Sequence, residues 1–116
     1  MEAYPVSFTA EQKRIIIWRD GGMCCMCGAT ATDANHRLNR GMGGRPSLDI
    51  IENGCAICFV CNSLIESDAE ERARAIKLGV KLEEGDDPGE KSWLSPFYGV
   101  RVWSYPNGDL SFEALS

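Results

Sequence analysis

Two cysteine pairs and a single histidine carry most of the chemistry that this 116-residue sequence offers. Cys24 and Cys27 form one CxxC motif, and Cys58 and Cys61 form another. Two tight turns that each present a pair of thiolates can complete a tetrahedral zinc site. We therefore predict a structural Zn²⁺ ion bound by these four cysteines, whose binding free energy would stabilise a small core.

Two cysteines remain, Cys25 and Cys55. Cys55 extends the second motif to the CxxCxxC run CAICFVC, which is compatible with an iron–sulfur cluster. The run lacks the fourth cysteine and the following proline of bacterial ferredoxins, so zinc remains the preferred prediction. Cys25 could replace Cys24 only with a one-residue gap to Cys27, which knuckle geometry disfavours. We interpret Cys25 and Cys55 as small buried hydrophobic residues.

The only histidine, His36, lies in the segment DANHRLNRGMGGRP, residues 33–46. Imidazole is the side chain whose unperturbed pKa suits a general base near neutral pH. Glycines and three arginines follow it, Arg37, Arg40 and Arg45. A loop that contacts phosphate needs such residues, and a solvated loop surface is the alternative interpretation.

Charge is unevenly distributed along the chain, whose net charge is −5. Residues 1–45 hold six Lys/Arg and four Asp/Glu, whereas residues 46–116 hold six and thirteen. The net charge argues against a protein that coats nucleic acid by bulk electrostatic attraction. Any anion should therefore contact the first half of the chain.

Local sequence signals predict three helical segments. Thr9 and Gln12 have capping-box spacing before a helix near residues 10–20, which the Gly21-Gly22 pair ends. Residues 62–66 begin a second helical stretch directly after a cysteine pair. Ser67 and Glu70 again have capping-box spacing, and the amphipathic helix that follows should end at Gly79.

Strands are predicted at two places. Residues 29–36 form a short segment rich in threonine and other small residues, and this composition favours a strand. The composition of residues 41–46 favours a loop. Near the carboxyl end, apolar and polar residues alternate around Asn107-Gly108, the strongest short-range signal for a hairpin. The aromatic residues beside it are interpreted as packing, with base stacking as the alternative: Trp93, Phe97 and Tyr98.

The sequence also predicts a compartment. It contains no apolar run long enough to span a bilayer, and its first residues, MEAYPVSFTAEQ, lack the features of a secretory signal. We therefore expect a cytoplasmic protein whose cysteines stay reduced and serve as metal ligands.

Taken together, the segments CMCG, DANHRLNRGMGG and ENGCAICFVCN resemble the HNH endonucleases, or ββα-metal nucleases, especially small zinc-stapled members encoded by bacteriophages. The resemblance covers roughly residues 11–78. It implies an α+β protein with a zinc-stapled ββα-metal core, an N-terminal helix, a following amphipathic helix and a C-terminal β-hairpin. The corresponding division is an HNH nuclease domain over 1–82, an acidic linker over 83–92, and a hairpin over 93–116 packed on the same domain.

The resemblance also assigns roles to individual residues. His36 matches the general base, Asn53 the middle asparagine that braces the loop behind the histidine, and Asn62 the final position, where His or Asn binds the metal. Arg37 and the RGMGG stretch match a basic turn of the phage proteins. The implied activity is metal-dependent hydrolysis of DNA phosphodiester bonds. In a bacterial host, DNA and a larger phage or nucleic-acid-processing assembly are the expected partners.

Such hydrolysis also needs a divalent cation, Mg²⁺ or Mn²⁺, at the scissile phosphate. Oxygen atoms of Asn35, Asn62 and Asp33 are the candidate ligands. Asn35 departs from the family, which usually has an acidic residue or a second histidine there, so we expect modest activity and tighter cation binding in Asn35→Asp. Two alternatives remain: a catalytically weak or inactive zinc module that serves a larger nucleic-acid machine, and an iron–sulfur protein.

Overall fold

The protein is described here by a computed structural model, in which residues 8–39 and 48–113 are defined. These residues form an α+β structure with three α-helices and two small antiparallel sheets. No helix in these two ranges is both long enough and apolar enough to cross a membrane. The elements in chain order are α1 (Ala10–Arg19), β1 (Asp33–His36), a 3₁₀ turn (Ile51–Asn53), β2 (Gly54–Ile57), α2 (Phe59–Ser67), α3 (Ala69–Leu78), β3 (Trp93–Leu94), β4 (Arg101–Ser104) and β5 (Leu110–Ser111).

Helix α1 begins with the predicted capping box. The Gln12 backbone N–H donates to Thr9 Oγ1 at 3.1 Å, and the Thr9 backbone N–H donates to Gln12 Oε1 at 2.9 Å. These two bonds satisfy amide groups that the first helical turn leaves unpaired. The helix ends one residue before the expected position, and Gly21 and Gly22 then adopt positive φ angles that favour glycine.

Helices α2 and α3 meet at a cap that differs from the predicted one. Ser67 is the last residue of α2, and its hydroxyl donates to the Ser63 carbonyl at 2.9 Å. Asp68 caps α3 instead, since its carboxylate accepts from the backbone N–H groups of Glu70 and Glu71. Aspartate is as good an N-cap as serine, and it lies one residue closer to the helix. The predicted end of α3 is confirmed, with Gly79 at φ +90°.

Strands β1 and β2 form an antiparallel pair that α2 follows directly. Asp33 pairs with Ile57 at one end, and His36 pairs with Gly54 at the other. Only the last four residues of the predicted 29–36 strand belong to β1. Every residue of β2 is buried, because α1 packs on this sheet and the carboxyl-terminal residues also contribute to the core.

The second sheet has the order β3-β4-β5 and contains the predicted hairpin. Gly108 lies in its turn at φ +96°, where a non-glycine residue would be strained. Trp93 is fully buried, as expected for packing, whereas Phe97 and Tyr98 are about half exposed.

A buried ion pair between Arg19 and Asp20 joins α1 to both sheets. Arg19 Nη2 lies 2.8 Å from Asp20 Oδ2, and its guanidinium also donates to the Gly54 carbonyl and to Ser104 Oγ. Asp20 Oδ2 in turn accepts from the Ala56 backbone N–H at 2.8 Å. Burial lowers the pKa of Arg19, but the Asp20 carboxylate, with smaller contributions from Cys55 and Cys25, offsets it, so the pKa is raised and the charge is retained.

Candidate metal centre and histidine site

The four cysteines of the two CxxC motifs come together in space. Their sulfur atoms all lie within 4.8 Å of one another: Cys24, Cys27, Cys58 and Cys61. Four sulfurs bound to one tetrahedral zinc at about 2.3 Å would lie about 3.8 Å apart. The Cys27 and Cys58 sulfurs are separated by 3.8 Å. The cluster can therefore hold a zinc ion.

At each CxxC motif, a backbone N–H group points to the sulfur of the first cysteine. The Met26 N–H points to Cys24 Sγ at 3.4 Å, and the Cys61 N–H points to Cys58 Sγ at 3.4 Å. The Cys61 N–H lowers the pKa of the Cys58 thiol to about 7, because a hydrogen bond to sulfur favours the thiolate. Burial raises the pKa values of Cys24 and Cys61. A bound cation would overcome that cost by stabilising the thiolates.

The other two cysteines lie outside this cluster. Cys25 and Cys55 are almost fully buried and neighbour each other in the core. This burial agrees with their interpretation as small hydrophobic residues. The hydrogen bond with Cys55, together with burial, raises the pKa of the Cys25 thiol well above its usual value. Because Cys55 is absent from the four-sulfur cluster, the CxxCxxC run does not present three ligands to one metal.

His36 lies at the end of β1 and is held on several sides. Its ring stacks on Phe8, with the ring centroids 4.1 Å apart and the planes 11° from parallel. Its Nε2 lies 2.7 Å from Asp49 Oδ1. Its backbone carbonyl accepts from Lys81 Nζ at 2.8 Å. The side chain is 14% exposed, so the ring keeps a limited route to solvent.

Asp49 is a site residue that was not predicted from the sequence. Its carboxylate pairs with His36 across 13 positions of chain. Gln12, the capping-box residue of α1, donates from Nε2 to the Asp49 carbonyl at 2.8 Å. Helix α1 therefore helps to fix the residue that contacts the histidine. No local pattern around SLDII reveals this pairing.

Lys81 is a second site residue that was not predicted. Its ammonium group donates to His36 O and to Asn39 Oδ1, both at 2.8 Å, although its side chain is only 3% exposed. Burial lowers the pKa of Lys81 to about 8, and the nearby Glu66 carboxylate, 3.8 Å away, offsets this only in part. A buried amine thus anchors the backbone at His36.

Asn53 lies behind the histidine and connects both sides of the loop that follows it. Its Oδ1 accepts from the Leu38 N–H at 2.8 Å, and its Nδ2 donates to the carbonyls of Leu38 and Leu48. The Arg37 N–H donates to the Asn53 carbonyl at 2.7 Å. The fully buried Asn53 amide therefore joins Leu38 to Leu48. The predicted loop over residues 41–46 lies outside the described residues.

The assignment of Arg37 to nucleic-acid binding is wrong. Its side chain is fully buried, and its three guanidinium nitrogens donate to five backbone carbonyls, those of Gly79, Glu52, Pro88, Lys91 and Ser92. A guanidinium saturated in this way has no donor left for a phosphate. Arg40 and Arg45, the other two predicted phosphate contacts, lie outside the described residues.

Two of the three predicted cation ligands, Asp33 and Asn35, are engaged in other contacts. Asp33 Oδ1 lies 3.1 Å from Lys13 Nζ. Asn35 is buried and donates to the Val80 carbonyl at 3.2 Å. It lies on the opposite face of β1 from His36, because adjacent strand residues alternate. Asn62 is half-buried in the first turn of α2.

A magnesium site normally needs carboxylate oxygens. In the two described ranges, the four cysteines are the only group of three or more His, Cys, Asp or Glu side chains close enough to share a metal. The described residues therefore do not provide a carboxylate-rich cation site beside the histidine.

Comparison of this chain with known protein families, with curated proteins and with solved structures gives no match.

Proposed function

We propose that this protein is an endonuclease of the HNH type that hydrolyses DNA phosphodiester bonds, with His36 as the general base. One observation carries the proposal: the only imidazole of the chain stands at the end of a β-hairpin followed by a helix, held by Asp49 and Lys81. Two members of the four-cysteine cluster lie at the start of that helix, Cys58 at its N-cap and Cys61 in its first turn. This order of elements and the site of the histidine support the resemblance drawn from the sequence.

In this proposal, each held group has a chemical task. The imidazole takes a proton from the attacking water, a role that requires a base near neutral pH. The water oxygen bonds to phosphorus as the bond from phosphorus to one sugar oxygen breaks; that oxygen takes a proton from solvent, and the imidazolium returns its proton to solvent. Asn53 joins Leu38 to Leu48, and a zinc ion on the four sulfurs would fix the start of α2.

A second candidate function is favoured by the poor cation site. With Asp33 paired to Lys13 and Asn35 turned to Val80, the chain would be a zinc-binding module that holds nucleic acid for a larger machine without cutting it. The iron–sulfur arrangement that uses the CxxCxxC run is disfavoured, because Cys55 lies outside the four-sulfur cluster. A colourless protein with one zinc per chain would exclude the iron–sulfur alternative.

Cleavage of supercoiled plasmid and of linear single- and double-stranded DNA tests the proposal. Each substrate is incubated with Mg²⁺, Mn²⁺ or chelator, and the products are resolved on gels. We expect cleavage by the wild type and a loss of about 10² to 10⁴ in rate for His36→Ala and His36→Gln. Glu70→Gln, which changes an exposed helix residue, should cleave as the wild type does.

Zinc content and melting temperature are measured on the same samples, so that a loss of catalysis can be distinguished from a loss of zinc or of the fold. Cleavage that persists in folded His36→Gln would overturn the role of His36. No cleavage by the wild type under any condition, with DNA binding retained, would favour the non-catalytic module.

A further inference from the structure

Asp49 and His36 form a closely bonded pair whose members are both mostly sheltered from water. The Nε2–Oδ1 distance is 2.7 Å, and the two side chains are 14% and 15% exposed, His36 first. A bond of this length between imidazole and carboxylate is a charge-assisted hydrogen bond, which is stronger and more directional than a neutral one. The pair can therefore set both the orientation of the ring and the position of its proton.

Contacts on two other sides restrict the same ring. Phe8 covers one of its faces. Opposite His36 in the sheet is Gly54, where a Cβ atom would clash with Ile16 and approach Phe8. The glycine thus leaves space for Phe8 to stack on the imidazole. With its face covered and its Nε2 bonded, the ring has one preferred orientation.

We propose that Asp49 is a positioning residue for His36: its carboxylate accepts a hydrogen bond from the Nε2–H group and thereby keeps the basic lone pair of the neutral ring on Nδ1. The inference rests on the proposed function, because it names the nitrogen that takes the proton from water. When the ring gains that proton on Nδ1, the Asp49 carboxylate stabilises the resulting imidazolium.

Asp49 can perform this task because helix α1 holds its backbone. Gln12 uses Oε1 for the Thr9 N–H and Nε2 for the Asp49 carbonyl, so one side chain serves both the helix cap and the histidine pair. These two bonds link the start of α1 to Asp49, so Gln12 can act on the His36 ring through Asp49.

Nuclear magnetic resonance tests the pairing directly, because His36 supplies the only imidazole signals of the chain. The pH at the midpoint of the His36 ring titration is measured in the wild type, Asp49→Asn and Asp49→Ala. We expect the midpoint to fall by about one pH unit in both variants, since each removes a carboxylate next to the imidazolium. Two-bond ¹H–¹⁵N correlations should show the Nε2–H tautomer in the wild type.

Two further variants provide the controls. Asp109→Asn makes the same change of charge at a carboxylate that bonds to Asn107 within its hairpin turn, and it should leave the midpoint unchanged. Gln12→Ala keeps both members of the pair and removes the anchor of the Asp49 backbone, so the midpoint should fall by less. This variant also tests the pairing if Asp49→Asn fails to fold. A midpoint that is the same in Asp49→Asn and the wild type, or an Nδ1–H tautomer, would overturn the inference.

Cleavage rates as a function of pH separate this inference from the proposed function. In Asp49→Asn, the acid limb of kcat/KM should move to lower pH by the same amount as the ring titration, with a reduced plateau. An unchanged acid limb in an active variant would overturn the positioning role. If the wild type never cleaves DNA while the ring titration shifts, the nuclease proposal fails and the His36–Asp49 pairing stands.

Discussion

The guanidinium group of Arg37 lies over the ring of Trp93, with its Cζ 4.9 Å from the ring centroid. Arg19 lies over the same ring at 4.5 Å. Trp93 opens the second sheet, and Arg37 follows the candidate general base directly, so this contact ties the carboxyl-terminal residues to the histidine strand. Arg37 also binds carbonyls of residues 88–92. The segment predicted to be an acidic linker is thus part of the fold.

Replacement of Arg37 should therefore destabilise the whole protein. We expect Arg37→Ala to lower the free energy of unfolding by at least about 3 kcal/mol, because it leaves several buried carbonyls without the charged donor that they share. Arg37→Lys should recover only part of this loss, since an ammonium group cannot reproduce the planar fork. Urea denaturation measures both variants.

Arg101→Ala is the matched control, because Arg101 is exposed and donates to Ser92 and Lys77 at the surface. It should change the free energy of unfolding by about 0.5 kcal/mol. An Arg37→Ala protein as stable as this control, but with weaker DNA binding, would instead support a phosphate contact at Arg37.

Zinc binding should depend on four of the six cysteines. We expect Cys58→Ser to lose the metal and to unfold at ordinary temperature, because the binding free energy of a structural zinc is part of the folding free energy. Cys55→Ser should keep one zinc per chain and lose about 1 to 3 kcal/mol through burial of a hydroxyl. Metal analysis and circular dichroism distinguish the two variants, and equal zinc loss in both would show that Cys55 is a ligand.

Lys81 should make stability depend on pH in the alkaline range. Its pKa is about 8 in the folded protein, against 10.5 for the unperturbed side chain. Between these values the unfolded Lys81 binds more protons than the folded one, so the contribution of Lys81 to stability should rise as the pH rises from about 8 to about 10.5. Below pH 8 the amine is charged in both states, and the full cost of its burial applies.

Lys81→Met provides the reference for that measurement. Other groups titrate in the same range, but their contributions cancel in the difference between the two proteins. The stability of the wild type relative to Lys81→Met should rise by roughly 3 kcal/mol across this range, since each unit of pKa shift corresponds to about 1.4 kcal/mol. Parallel stability curves would contradict the lowered pKa of Lys81.

Features set by local spacing are predictable from the sequence. The Thr9–Gln12 capping box, the end of α3 at Gly79 and the hairpin turn at Gly108 each depend on residues a few positions apart. The metal-ligand spacing within each CxxC motif has the same local character. Such short-range signals predict most of the elements, and the requirement of a zinc ion for four ligands predicts that the two CxxC motifs meet.

Contacts between distant segments are not predictable in this way. Arg37 occurs in a loop with other arginines, which suggests an exposed residue, but its acceptors come from positions up to 55 residues away. The Asp49–His36 pair crosses a loop, and Lys81 reaches His36 from 45 positions along the chain. Whether a polar side chain is buried depends on such partners, and no periodicity in the sequence reports them.

Asn35→Asp is the substitution for which sequence and structure make opposite predictions. From the sequence, a carboxylate at this position should tighten binding of a catalytic cation. In the structure, the Asn35 amide donates to the Val80 carbonyl from a buried position, and an aspartate cannot donate there unless it is protonated. We therefore expect the variant to lose about 1 to 3 kcal/mol of stability at neutral pH, as for other unsatisfied buried polar groups. We also expect no gain in Mn²⁺ affinity.

Thermal denaturation with and without Mn²⁺ measures both effects, and Asp33→Asn serves as the comparison at a more exposed position of the same strand. An Asn35→Asp protein that is as stable as the wild type and binds Mn²⁺ more tightly would show that this side chain faces a cation.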